Sequence, residues 1–215
     1  MRINKFVALA SALSRRSADR AIADGRVQLN GASIKLGQEV GTNDFVTLDG
    51  TTLNAPETST TIILNKPVGY VVSRDGQGSP TIYDLLPPEF HNLKPIGRLD
   101  KDSSGLLLLT NNGELANQLT HPKFAKEKVY EIELDKSLTP TDKTKIENGV
   151  ELEDGSSKLQ LSGEGETWVV TMAEGRNRQI RRTFRVLGYR IVKLHRTQFG
   201  QYSLKELSSG KFLVK

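Results

Sequence analysis

The chain has 215 residues, 26% charged and 36% hydrophobic, with a formal net charge of +5, a balance that fits one or two globular domains rather than a disordered chain. It has no cysteine, which excludes disulfides, thiolate catalysis and thiolate-ligated zinc; His91, His121 and His195 have no paired metal-ligand spacing, so no metal site is expected. No apolar run reaches bilayer length and no signal core opens the chain, so a soluble, cytoplasmic protein without a membrane partner is the expectation.

Residues 1–48 read as a unit of their own. Ile3, Phe6, Val7, Ala10 and Leu13 recur at helical spacing and give a first helix an apolar stripe. Ser14 can cap a second helix with Ala18, Ala21 and Ile22 inward, Arg15, Arg16 and Arg20 outward, and Gly25 as its stop. Val27, Gln28 and Leu29 then lead through Asn30-Gly31 to a short strand ending near Ile34, a strong hairpin signal. The unit holds seven Lys or Arg against four Asp or Glu, an excess that alone does not separate an RNA-facing helix from a solvated one. Its ordered pattern, Ser14-Arg15-Arg16 through Arg20 to Gly25-Arg26-Val27 and Asn30-Gly31, resembles the S4-type RNA-binding domain. That resemblance implies that Arg15, Arg16, Arg20 and Arg26 lie against structured RNA.

Residues 49–60 are polar and Thr-rich without apolar periodicity, and read as a linker. Residues 61–215 form the larger domain. Thr61 to Leu64 make a β-branched strand that enters a Lys66-Pro67-Val68-Gly69 turn, and Val71-Val72 is expected to continue as a strand. After a polar loop and a short helix near residues 81–86 comes Gly97-Arg98-Leu99-Asp100, followed by Ser103-Ser104-Gly105 and four consecutive leucines. The leucines read as a buried central strand, and a carboxylate in the turn before it is held in place while remaining accessible. On spacing alone the reading of Asp100 as a turn or cap residue comes ahead of a catalytic one.

A helix over residues 114–119, ended by His121-Pro122, precedes the alternating strand of residues 128–134, on which Tyr130 faces away from Val129. A polar-faced helix, a turn and a strand are expected over residues 139–163, and another strand over 168–172. Residues 174–188 are expected to form a capped helix with Ile180, Phe184 and Leu187 inward and Gly188 as the stop. Between residues 174 and 196 there are eight Lys or Arg and one acid. Basic residues at a helix N-terminus oppose its dipole, so Arg176 and Arg178 point to an anionic ligand or a buried carboxylate rather than to helix stability.

Taken together, the Lys66-Pro67-Val68-Gly69 turn, Gly97-Arg98-Leu99-Asp100, Glu127-Lys128-Val129-Tyr130, Gly175-Arg176-Asn177-Arg178-Gln179-Ile180-Arg181-Arg182 and Leu194-His195-Arg196 resemble the RsuA family of ribosomal RNA pseudouridine synthases. The resemblance implies an α+β fold: a small helical and hairpin N-terminal domain, then a mixed, mainly antiparallel sheet flanked by helices. It implies isomerisation of uridine to pseudouridine with no cofactor, acting on ribosomal RNA or a ribosomal assembly intermediate, by a monomer. It makes Asp100 the catalytic carboxylate, Arg181 the cation expected in salt-bridge reach of it, and Tyr130 the aromatic beside the target base. Ile180 would pack under the uracil, Arg98 would fix the loop or meet a phosphate, and Lys66, Arg176, Arg178 and Arg182 would form a basic rim for RNA phosphates. Thr183 departs from the family's usual hydrophobic residue, and Arg178 stands where more distant synthases have His. The Gly113-Glu114-Leu115-Ala116-Asn117 segment with His121-Pro122 resembles the large-subunit branch. Two alternatives remain on the residues alone: a non-catalytic RNA-binding assembly protein, and a hydrolase whose Asp100 and Asp102 hold a metal.

Overall fold

The computed structural model describes residues 1–11, 13–54 and 59–215, and its contacts divide the chain into two units, Met1–Ser59 and Thr60–Lys215. In the first unit, α1 (Ile3–Ala10) and α2 (Arg15–Ala23) pack over β1 (Val27–Leu29), β2 (Ala32–Ser33), β3 (Val46–Leu48) and β4 (Thr51–Leu53), antiparallel in the order β2-β1-β3-β4. Ser14 Oγ accepts from the Ser17 N–H at 3.0 Å and so satisfies a donor that the first turn of α2 would leave open. Asn30 and Gly31 both lie in the left-handed region, at φ 54° and 80°, the turn geometry whose twist matches the two strands it joins. Ile3, Val7, Ala18, Ile22, Val27 and Val46 close the core. The polar segment read as a linker begins differently: Asp49 and Gly50 turn the chain and Thr51–Leu53 completes the sheet as its edge. A threonine-rich edge strand needs backbone pairing on one side only, and so carries little apolar signal. Residues 55–58 of that segment lie outside the described residues.

The second unit runs β5 (Thr61–Lys66), β6 (Lys94–Ile96), β7 (Ser104–Thr110), α3 (Gly113–Thr120), β8 (Lys128–Leu134) and α4 (Pro140–Asn148). It continues with the hairpin β9 (Val150–Leu152) and β10 (Gly155–Ser157), then β11 (Gln160–Glu164), β12 (Thr167–Met172), α5 (Gln179–Val186), β13 (Ile191–Phe199), β14 (Tyr202–Ser203) and β15 (Phe212–Val214). Among the described residues the main sheet has nine strands, with the path β11-β12-β8-β13-β7-β5-β15; β14 pairs with β13 and β6 with β7. Only β13 and β7 run parallel, the other pairings being antiparallel. The sheet is therefore mixed and mainly antiparallel, as expected.

The leucine run explains why β7 sits inside this sheet. Leu106, Leu107, Leu108 and Leu109 are all fully buried, and their period of two sends Leu107 and Leu109 into one core with Ile132 and Phe184. Leu106 and Leu108 enter another with Ile63, Ile96 and Phe199. Burying each contributes about 2 kcal/mol. Next to them Gly105, at φ +106°, lets β7 approach β13 so closely that a Cβ there would lie 2.2 Å from the Arg196 carbonyl oxygen.

Three local expectations change. Val71 makes an isolated bridge to Thr81 in place of a strand, because Pro67 and Gly69 have already turned the chain out of the sheet. The short helix is a 3₁₀ turn, Ile82–Leu85, capped by Thr81 and Asp84. The basic helix starts at Gln179, five residues later than the pattern suggested, since Arg178 at φ 46° cannot continue a right-handed helix backwards. Its end is as expected, with Gly188 left-handed at φ 79°.

Candidate active site

Asp100 lies in the turn between β6 and β7, closed by the Ser103 N–H donating to the Asp100 carbonyl at 3.1 Å. It borders a cleft of about 640 Å³ that Arg98, Tyr130, Arg178, Ile180, Leu194 and Arg196 also line. Tyr130 comes from β8, buried except for 8% of its surface, and Ile180 from the first turn of α5. Leu99, buried beside Asp100, anchors the turn in the main core.

The cation on Asp100 is Arg178, not Arg181. Arg178 Nη1 donates to Asp100 Oδ2 at 3.1 Å and to Asp102 Oδ1 at 3.1 Å, while Nη2 donates to Asp102 Oδ2 at 2.8 Å. The left-handed backbone at the N-cap swings this side chain out over the turn, and the bond to Asp102 holds its charge more firmly than usual while drawing the Asp102 carboxyl below the carboxylate range. Asp100 Oδ1 accepts no hydrogen bond among the described residues, and Asp100 borders the cleft. Arg181, one helical turn further along, reaches the backbone instead: Nη2 donates to the Asp102 carbonyl at 2.8 Å and Nη1 to the Ile191 carbonyl at 3.0 Å. Among the described residues its only carboxylate contact is with Asp102, at 3.4 Å from Nε. Arg181 therefore supports the turn, and burial lowers its pKa.

Lys66 also departs from its expected place on a phosphate-binding rim. It is fully buried, and its Nζ donates to the carbonyls of Pro67 at 2.9 Å, Asp100 at 3.1 Å and Ser103 at 2.7 Å. One ammonium thus pins the end of β5 to both sides of the Asp100 turn. Burial pushes its pKa down to about 8, partly offset by the carboxylates of Asp100 and Asp102. Arg176 and Arg182 are likewise spent inside the fold. Arg176 donates to the Asp154 carboxylate and to the carbonyls of Asp154, Gly155 and Ser156, while Arg182 pairs with Asp154 at 2.7 Å. They fasten the β9–β10 turn to the start of α5 through the Asp154 carboxylate, which both guanidinium groups share. Of the proposed rim Lys66 is buried and Arg176, Arg178 and Arg182 are only partly exposed, each already paired; Arg98, outside that rim, is exposed at the cleft.

In the N-terminal unit Arg15, Arg16 and Arg20 are exposed on α2, whereas Arg26 pairs with Asp49 through Nε at 2.8 Å. Thr183, the departure from the hydrophobic pattern, is fully buried and satisfied: its hydroxyl donates to the Gln179 carbonyl at 2.9 Å and shares a hydrogen bond with Ser157 Oγ at 2.8 Å. Of three further residues near the cleft, Asp102 entered the sequence reading only in the metal-hydrolase alternative, and Lys128 and Arg196 had no role of their own. Asp102 was legible as the second acid of the turn, Lys128 as the same-face neighbour of Tyr130, and Arg196 as a lone cation in an otherwise apolar strand face.

A turn-borne carboxylate, its guanidinium partner and a strand tyrosine thus border one cleft of the second unit. Residues 60–185 match the family model described as RNA pseudouridylate synthase, and residues 1–46 match the S4 domain model. The chain belongs to the RNA pseudouridylate synthase family, as an RNA-modifying isomerase with an S4 domain preceding its synthase region. It is 36% identical to the ribosomal large subunit pseudouridine synthase B of Bacillus subtilis, over 97% of this chain and 89% of that one. It is 36% identical to an RNA pseudouridine synthase of Aquifex aeolicus, over 99% and 89%. With the dual-specificity RNA pseudouridine synthase RluF of Escherichia coli it shares 35% over 99% and 74%. A crystal structure of a pseudouridylate synthase superposes with a TM-score of 0.73 at 31% identity, covering 100% of this chain and 96% of that chain.

Proposed function

We propose that this protein isomerises uridine to pseudouridine in ribosomal RNA, with Asp100 as the catalytic carboxylate and the large-subunit RNA as substrate. The observation that carries the proposal is the asymmetric setting of Asp100. Its Oδ2 is held by Arg178 at 3.1 Å, its Oδ1 has no hydrogen-bond partner among the described residues, and the residue borders the cleft that Tyr130 lines. The reaction breaks the bond from uracil N1 to ribose C1′, turns the base and joins C1′ to C5; the C5 proton leaves and N1 ends protonated, so no oxidant, cofactor or energy source is consumed. A carboxylate serves this chemistry by attacking the sugar or base, or by removing the C2′ proton. The base must leave its stack to reach the cleft, where Ile180 and Tyr130 offer apolar and aromatic faces to it. Arg178 compensates the charge of Asp100 and fixes its orientation, while Arg181 and Lys66 hold the turn that presents it. The exposed Arg15, Arg16 and Arg20 of the S4 unit supply phosphate contacts that set register rather than chemistry. The large-subunit assignment rests on the names of the Bacillus relative and its counterparts and on the resemblance around Gly113 and His121. The site of action proposed is the cytoplasm, on free rRNA or an assembly intermediate, as a monomer.

The test maps pseudouridines in rRNA from cells with and without this gene, then restores the gene as wild type, Asp100→Asn or Arg178→Met. One or more large-subunit uridines are expected to lose modification without the gene and regain it with wild type only. In vitro, Asp100→Asn lowers the rate by about 10³-fold or more, and Arg178→Met by about 10²-fold because the carboxylate loses its orienting partner. Modification that persists with Asp100→Asn overturns the proposal.

A further inference from the structure

Most arginines around the cleft have their counter-charge within the chain: Arg178 has Asp100 and Asp102, Arg181 has Asp102, and Arg176 and Arg182 have Asp154. Four cations that line the same cleft, Arg98, Lys126, Lys128 and Arg196, form no ion pair among the described residues; Arg98 and Lys126 are exposed, whereas Lys128 is half-buried and Arg196 buried. Arg196 on β13 lies directly opposite Tyr130 on β8, so their side chains share the cleft face. An extra residue between Arg196 and Gln198 then shifts the register, and Phe199 comes opposite Lys128 on that same face. The guanidinium sits 5.0 Å and the Lys128 ammonium 5.3 Å from the Phe199 ring centroid. Arg196 is 97% buried, being 3% exposed; its Nε donates to the Leu106 carbonyl at 2.8 Å, and its Nη2 is buried with no partner. The Lys128 Nζ has one recorded acceptor, the Glu174 carbonyl at 3.1 Å.

Two like charges around one ring are a costly way to build a core. An unsatisfied buried guanidinium nitrogen costs more than the apolar residue that could replace it. Burial, then repulsion from Arg196, lowers the pKa of Lys128, partly offset by the Glu174 carboxylate. Such an arrangement becomes favourable when an anion enters. A neutral uracil carbonyl would satisfy one N–H but leave the charge uncompensated, whereas a phosphodiester supplies charge and two acceptor oxygens to a fork and a point cation together.

We infer that Arg196 and Lys128 form an anion subsite of the cleft that takes a backbone phosphate of the target strand next to the flipped nucleotide. The inference rests on the proposed rRNA reaction and deepens it: Arg178 serves the carboxylate, and this second pair serves the phosphate. The subsite holds the sugar-phosphate still while the base is detached and turned, so it acts on positioning of the ribose as well as on binding.

The experiment uses the full chain and rRNA from cells lacking the gene, measuring binding across a salt series, single-turnover rate at saturating RNA, and thermal melting. Lys128→Gln and Arg196→Met are each expected to lower the slope of log affinity against log salt by about one, and to slow the saturated rate about tenfold. Arg196→Lys keeps the slope, because the charge stays, and loses the rate, because the fork is gone. Wild-type slopes and rates in Lys128→Gln, or a lowered melting temperature in Arg196→Met as its sole change, overturn the subsite and leave the pair a packing device. If Arg196→Met does not fold, Lys128→Gln, whose ammonium has a single backbone partner, decides alone. The failure of the catalytic reading is separable: it appears as turnover by Asp100→Asn, a variant that leaves the contribution of the two cations to the salt slope intact.

Discussion

Lys66 carries the clearest consequence at the scale of one residue, because three backbone carbonyls converge on a single buried ammonium. Its pKa of about 8 lies below that of the unfolded chain, where lysine titrates near 10.4. Between those values the unfolded chain holds a proton that the folded chain has released, so the contribution of Lys66 to stability rises with pH across that window. Below pH 8 both states are protonated and the cost of burying the charge is fully present. Denaturant unfolding at pH 8 and pH 10 should therefore show wild type gaining about 2 kcal/mol relative to Lys66→Met, after both are referenced to pH 8; an equal change in the two proteins would contradict this. The same scale explains the exchange of partners at Asp100. Arg178 and Arg181 stand three residues apart on neighbouring turns of one basic stretch, and spacing alone gives either access to the turn. The left-handed N-cap conformation of Arg178 separates them, and that conformation depends on how α5 meets the Asp100 turn in space.

Among the elements, β7 and β13 form the only parallel pairing of the main sheet in the described residues, and their contact depends on Gly105. A Cβ at Gly105 would meet the Arg196 backbone at 2.2 Å (O) and 2.5 Å (N), at a φ of +106° that side chains avoid. At Gly188, with φ +79°, a Cβ would meet nothing within 4 Å. Gly105→Ala is accordingly expected to cost about 3 kcal/mol or more, through overpacking against immobile backbone, and Gly188→Ala about 1 kcal/mol, through backbone strain alone. Urea unfolding of the two variants tests that order. β13 also shows why some strands are hard to read. Its register shifts beside Val192 and Thr197 break the alternation that made β8 legible, and the second shift turns Phe199 onto the cleft face.

For the whole molecule, each unit has its own core, Ile3, Val7, Ile22 and Val46 in one, and Leu107, Ile132, Trp168 and Phe184 in the other. Residues belonging to the Asp100 cleft all come from the second unit. Residues 60–215 alone are therefore expected to unfold cooperatively and to keep the saturated single-turnover rate within about threefold of the full chain, while their affinity for rRNA falls about tenfold or more with loss of the exposed arginines of α2. Equal affinity of the shortened and full chains would show that the S4 unit contributes little to binding. Among the described residues no helix is long and apolar enough to cross a membrane.

The sequence by itself determined the elements that rest on local pattern: the capped α2, the Asn30-Gly31 hairpin, the leucine strand with Asp100 in the turn before it, alternating β8 with Tyr130, and the Gly188 stop. Each follows from period, turn chemistry or capping within a few residues. Tertiary structure decided how the charges pair. Arg176, Arg182, Lys66 and Arg26 read alike in one dimension as a basic surface, yet Asp154, three carbonyls and Asp49 claim them, because a long flexible side chain takes whichever acceptor the fold brings near. The same assembly that gave those four their acceptors left Arg196 buried beside Lys128 with no ion pair among the described residues, an arrangement that exists only once β8, β13 and the bulge between Arg196 and Gln198 are in register.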